Sequence, residues 1–215
     1  MTKLTWEQTR QMLLFTADAI IESKPFLTQI DSQIGDGDHG IGMEIGMKKA
    51  KEKLLAAENG EDVFQLFLEM GRAMLMSMGG ASGVIFGTMF LGGAKGKEAS
   101  AFLGCNEITV LLTDSLKQIQ ARGKAEVGDK TMVDALAPAV AAMQSYKGED
   151  LAELLALAET AAEKGVEDTK GYTAKFGRAK SLMERAIGHQ DAGATSTWLI
   201  LRAMHEYVRK TEAEA

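Results

Sequence analysis

Pro25 and Pro138 are the only prolines in this chain of 215 residues, where average usage would give roughly eleven. With so few helix breakers, the chain turns mainly where glycine lets it. Alanine and methionine are abundant, aromatic residues reach only 6%, and β-branched runs are scarce. Each of these favours helix over sheet. The periodicity agrees, since Phe64, Phe67, Leu68, Leu75 and Met78 recur at helical spacing with no strict alternation.

The pattern predicts helices over 6–23, 42–57, 61–78, 83–94, 106–121, 131–145, 149–165, 178–187 and 194–211. Thr5 and Gln8 have the capping-box spacing, and Asn106 is a good cap ahead of Glu107. The last four residues, from Glu212, read as a frayed end. The segments Phe86 to Leu91 and Ala194 to Met204 are apolar on more than one face, which predicts burial. Met70, Met74, Met76 and Met78 read as core packing rather than as an adaptable binding surface. No repeat, linker or low-complexity stretch divides the chain, so residues 1–215 form one all-α domain.

Composition narrows the functional classes. Lys+Arg 24 against Asp+Glu 30 leaves a net charge of −6, with no basic field to attract nucleic acid or an anionic membrane. The single Cys105 excludes a disulfide framework and a cysteine-rich zinc site, and has no activating neighbours in sequence. No apolar run approaches the roughly eighteen residues of a membrane span, and MTKLTWEQTR has no signal-peptide core. A cytoplasmic protein is expected.

The glycines gather in the connections: GDGDHGIG at 35–42, GGASG at 79–83, RGKAEVGDKT at 122–131, and KFGR followed by GHQDAGATS within 175–196. Glycine-rich loops that open helices leave backbone N–H groups free for an anion. Several such loops on one rim would make a phosphate or nucleotide pocket. Two motif matches fail on context. Gly35 to Gly40 spells G-x-G-x-x-G, but no strand precedes it and its aspartates would repel a pyrophosphate. Gly123 to Thr131 nearly spells a Walker A loop, but Asp129 interrupts it and no strand leads in.

Asp31, Asp36 and Asp38 fall within eight residues. Carboxylates that close repel unless a hard cation bridges them, and Mg²⁺ commonly joins carboxylates to substrate phosphates. An acidic solvated turn is the competing reading. Ser82 is either a helix cap or a phosphate donor. Arg178 follows Gly177 at a predicted helix start, where a cation opposes the dipole unless an anion lies nearby. His39 and His189 lack the carboxylate and nucleophile of an acid–base pair, and His205 reads as structural.

GDGDHG, GGASG with its phenylalanine-rich helix, RGKAEVGDKTMVDAL and GRAKSLMERAIGHQDAGATS occur in an order that resembles the L subunits of bacterial dihydroxyacetone kinases, over essentially the whole chain. The resemblance implies an eight-helix up-and-down antiparallel barrel with a nucleotide site at one rim. It implies ADP (or ATP) with two Mg²⁺ ions on Asp31, Asp36 and Asp38. His39, Gly40, Ile41, Gly42, Ala81 and Ser82 would lie along the nucleotide, Gly123 and Met132 would flank it, and Arg178 with Asp191, Ala192 and Gly193 would complete it. Arg178 would also stabilise the transition state. The ketone would sit on a separate K subunit, and a phosphohistidine M subunit of the phosphotransferase system would recharge the nucleotide from phosphoenolpyruvate. An ATP-dependent kinase of dihydroxyacetone or erythrulose is the alternative, and a nucleotide-binding regulatory module a third reading. Two positions depart from the family pattern: Gly42-Met43 stands where Asn-Met is familiar, and the late turn reads HQDAG rather than HQDPG.

Overall fold

The computed structural model describes residues 1–214. Nine α-helices account for most of them: α1 (Trp6–Glu22), α2 (Lys24–Ile34), α3 (His39–Ala56), α4 (Val63–Ser77), α5 (Gly80–Ala94), α6 (Cys105–Gly123), α7 (Val133–Ser145), α8 (Leu151–Asp168) and α9 (Ala192–Ala213). Eight of these form a ring. α1 packs on α3, each helix from α3 to α8 packs on its successor, and α9 closes on α1. This is the closed eight-helix arrangement expected.

α2 is the ninth helix, set beside α3 and α9 outside the ring. It was missed because Pro25 looks like a breaker, yet it occupies the first turn, where the absent N–H has no intrahelical partner to lose. Leu27, Ile30 and Ile34 are its buried stripe. The segment 178–187, expected to be α-helical, is instead 3₁₀ turns over Arg178–Ala186, broken at Met183 (φ 49, ψ −122). The all-α frame carries one small addition, a ribbon of two three-residue strands. β1 (Lys3–Thr5) and β2 (Phe102–Gly104) pair antiparallel, with Leu4 opposite Leu103. The expected frayed end is helical through Ala213, while Ala215 lies outside the described residues.

The interior is aliphatic and methionine-rich, with Leu13, Met43, Met47, Phe67, Met70, Met89 and Phe90 among its fully buried members. Met70, Met74 and Met78 are core as expected, whereas Met76 is 86% exposed. The glycines of α5 explain how so apolar a helix packs on both neighbours. A Cβ at Gly93 would lie 1.7 Å from the Leu111 carbonyl oxygen of α6, and one at Gly87 would lie 2.9 Å from the Gly71 oxygen of α4. Backbones approach there more closely than any side chain permits.

Successive members of the ring begin at opposite rims. α1, α4, α6 and α8 start at the rim that carries the β1–β2 ribbon, where the Met1 ammonium reaches Asp150 and the Ser100 N–H donates to Asp62. α3, α5, α7 and α9 start at the other, and each is preceded by one of the four glycine-rich connections.

Candidate functional site

Those four connections line a single cleft of about 820 Å³. The helix starts facing it differ from those at the ribbon rim. Thr5 accepts from the Gln8 N–H in a capping box, as expected. Asp62 accepts from Phe64 and Asp150 from Glu153. At α6 the Glu107 carboxylate accepts from the Gly104 N–H, so Glu107 does the capping expected of Asn106, which lies within the helix. In the cleft, by contrast, the N-cap residues of α3, α5 and α7 supply no side-chain bond; Asp31 and Thr131 Oγ1 accept from the first N–H of α3 and of α7, and α9 is capped by its own N-cap Asp191. α5 is the barest. Gly80, Ala81 and Ser82 open it and line the cleft, and a Cβ at Gly79 or Gly80 would meet nothing within 4 Å. Packing therefore does not account for the glycine pair; a φ of +66° does at Gly80. Uncapped N–H groups carry the positive end of the helix dipole, which suits an anion.

Across the cleft, Asp31, Asp36 and Asp38 each bring a carboxylate oxygen within 4.8 Å of the other two. Asp31 projects from the last turn of α2, and its oxygen accepts from the His39 N–H at 3.3 Å, which fixes it beside the start of α3. Asp36 pairs with Arg178 at 2.7 Å. Burial, and then the Asp36 and Asp31 charges, push the Asp38 carboxyl above its ordinary value. Three hard oxygen donors at mutual repulsion distance match Mg²⁺ chemistry.

His39 is nearly buried, with Nε2 at 2.7 Å from Ser196 Oγ and its ring tilted on Phe86. Burial lowers its pKa, so the ring is neutral and ties α3 to α9. Asp191 caps α9 through the Ala194 N–H at 2.8 Å, and its enclosed carboxyl is pushed up to about 7 by burial.

Ile41, Gly42, Met132, Ala192 and Gly193 also line the cleft, together with His39, Ala81, Ser82, Arg178, Asp191 and the aspartates. Gly40 and Gly123 do not. A Cβ at Gly40 would strike Thr28 Oγ1 and the Lys24 carbonyl oxygen, so this glycine lets α3 lie against α2. Gly123 ends α6 behind Ile85, whose Cδ1 would be 3.3 Å from such a Cβ. Lys130, Ile85 and Phe86 also line the cleft, though none was expected as a site residue. Lys130 had been set aside with the failed Walker A match. Nothing else in the sequence marks it, because its partners are backbone carbonyls.

Residues 33–206 match the DAK2 domain family. The chain is 38% identical over 189 residues to the ADP-binding subunit DhaL of the PEP-dependent dihydroxyacetone kinase of Escherichia coli K12, covering 87% of this chain and 90% of that protein. It is 36% identical over 205 residues to the ADP-binding subunit DhaL of the PTS-dependent dihydroxyacetone kinase of Lactococcus lactis, covering 95% and 99%. The crystal structure of the dihydroxyacetone kinase of C. freundii with AMP-PNP and Mg²⁺ superposes with a TM-score of 0.72 at 24% identity. That alignment covers 92% of this chain but only 33% of the solved one, so this chain spans about a third of that kinase's length.

Proposed function

This chain belongs to the DAK2 domain family, and from that premise we propose that it is the nucleotide-holding subunit of a phosphoenolpyruvate-dependent dihydroxyacetone kinase. The observation that carries the reading is the opposition, across one cleft, of the Asp31–Asp36–Asp38 cluster and the uncapped start of α5. A diphosphate chain neutralised by a divalent cation suits both walls at once.

Asp31, Asp36 and Asp38 would hold two Mg²⁺ ions, and the backbone N–H groups of residues 80–82 with the Ser82 hydroxyl would meet phosphate oxygens. Met132, with Ile85 and Phe86, offers an apolar wall for the base. Arg178 would add positive charge where the phosphoryl group departs. Bound there, ADP with its metal ions supplies the phosphoryl carrier and the charge neutralisation that such transfers need. His39, neutral and engaged with Ser196, orients the start of α3 rather than moving a proton. The ketone would be presented by a K subunit and the nucleotide recharged by a phosphohistidine M subunit, both in the cytoplasm.

The test is the nucleotide content of protein purified through extensive gel filtration and then denatured. Near-stoichiometric ADP supports the bound-cofactor reading. An empty site that binds ATP·Mg²⁺ reversibly points instead to an ATP-dependent ketose kinase, and no affinity for either nucleotide overturns both.

A further inference from the structure

The connection from α8 to α9 runs from Thr169 to Asp191 and carries only short 3₁₀ segments, long for a loop in a compact domain. Its middle, from Lys175 to Arg185, is largely exposed. Two adjacent residues of the α6–α7 connection grip it. Lys130 is 2% exposed, and its ammonium donates to the Thr169 and His189 carbonyl oxygens at 2.5 Å each, drawing the two ends of the connection together. Asp129, also buried, accepts from the Lys175 ammonium at 2.5 Å, and its carbonyl accepts from the Lys175 N–H at 3.2 Å. Lys130 makes these contacts from a left-handed backbone conformation (φ +59°), which a β-carbon-bearing residue adopts only where its surroundings hold it there.

The grip reaches the cleft. The Asp191 N–H donates to Thr169 Oγ1 at 3.0 Å, and Asp191 in turn caps α9. We propose that Asp129 and Lys130 form a clamp on the α8–α9 connection, and that Lys130 is the positioning residue for the Asp191–Gly193 turn. The inference rests on reading the cleft as a nucleotide site, because the positioned turn is one of its walls. Lys130 acts through Thr169 and His189, and no contact of its own with a ligand is required.

The connection contains its own reporters, since trypsin cuts after Arg178, Lys180 and Arg185. Lys130→Met is expected to speed cutting at those positions about tenfold relative to cutting elsewhere in the chain, and to weaken ADP binding about tenfold, as loss of a buried charged donor would. Asp129→Asn, which leaves Lys130 in place, should speed cutting at the same positions to a smaller extent and keeps the test open if the first variant does not fold. Unchanged cutting at the three positions, or cutting that rises equally throughout the chain, overturns the proposal. If the unmodified protein binds no ADP, the nucleotide reading falls, and the trypsin comparison still decides the clamp.

Discussion

The two rims of the barrel are built from the same eight helices and do opposite things with their first turns. At the ribbon rim the N-cap side chains Thr5, Asp62 and Asp150 meet first-turn N–H groups of α1, α4 and α8, and at α6 Glu107 reaches back to the Gly104 N–H. At the cleft rim three of the four N-cap residues supply none, α5 has no side chain on its first turn among the described residues, and three carboxylates crowd together with one cation, Arg178, paired to Asp36. The first rim spends its polar groups on its own stability. Among the described residues, the second leaves the start of α5 without a side-chain cap and Asp31 and Asp38 without an ion pair, as a surface does when a ligand completes it.

The largest contrast should come from removing those charges. Asp36→Asn with Asp38→Asn is expected to lower Mg²⁺-dependent ADP affinity at least about a hundredfold, while the melting temperature holds or rises as like-charge repulsion is relieved. Calorimetric titration and a thermal melt on the same protein check both halves, and a melt well below the parent would place the aspartates with the stability rim. Asp62→Ala is the reverse case. It should cost about 1–2 kcal/mol of stability in urea unfolding, since it caps α4 and also accepts from Ser100, with ADP affinity unchanged.

A pH series on Asp191 is the next largest effect. Its folded carboxyl titrates near 7, above the usual carboxylate value. Ionisation of the unfolded chain therefore erodes stability as pH rises from about 4 to about 7, after which the effect is constant. Asp191→Asn, which can still cap α9, should gain on the parent over that window and run parallel above it. Equal slopes on both sides of pH 7 would show the carboxyl to be solvated. The smallest effect belongs to Gly42→Asn. A Cβ there meets only Met78 Cε at 3.9 Å, so stability should move by less than about 1 kcal/mol. Any gain in ADP affinity would show that the departure from the family pattern had removed a contact.

The comparison also separates what the sequence could reveal. Glycine clustering pointed to all four connections of the cleft, because a loop that leaves its N–H groups bare is written in residue type. The aspartate triad was legible for the same reason. At the other rim Thr5 was read correctly, but Glu107 was not, since whether a carboxylate reaches back to Gly104 depends on where the helix begins. Lys130 and Asp134 were invisible: one binds carbonyls of residues 169 and 189, the other the N–H groups of Gly128 and Thr131, and backbone partners leave no trace in composition. The 3₁₀ segment was missed because its amphipathic spacing is genuine, while Gly177 and Met183 take positive φ values that spacing does not report.

The ring also has a seam. Around most of the wall, helices that touch are neighbours along the chain, so much of the barrel can assemble as an open strip of local contacts. The two ends of that strip meet where α9 packs on α1 and, with the segment before it, on α2. The cleft straddles this join: Arg178 reaches Asp36, His189 reaches Gln33 and Ser196 reaches His39 across it. The cleft is therefore built by contacts far apart in sequence, and a ligand spanning them would hold the closed ring shut by mass action. Transient opening of α9 would release ligand and undo the join in one motion, so hydrogen exchange along α9 should slow as ligand saturates the cleft.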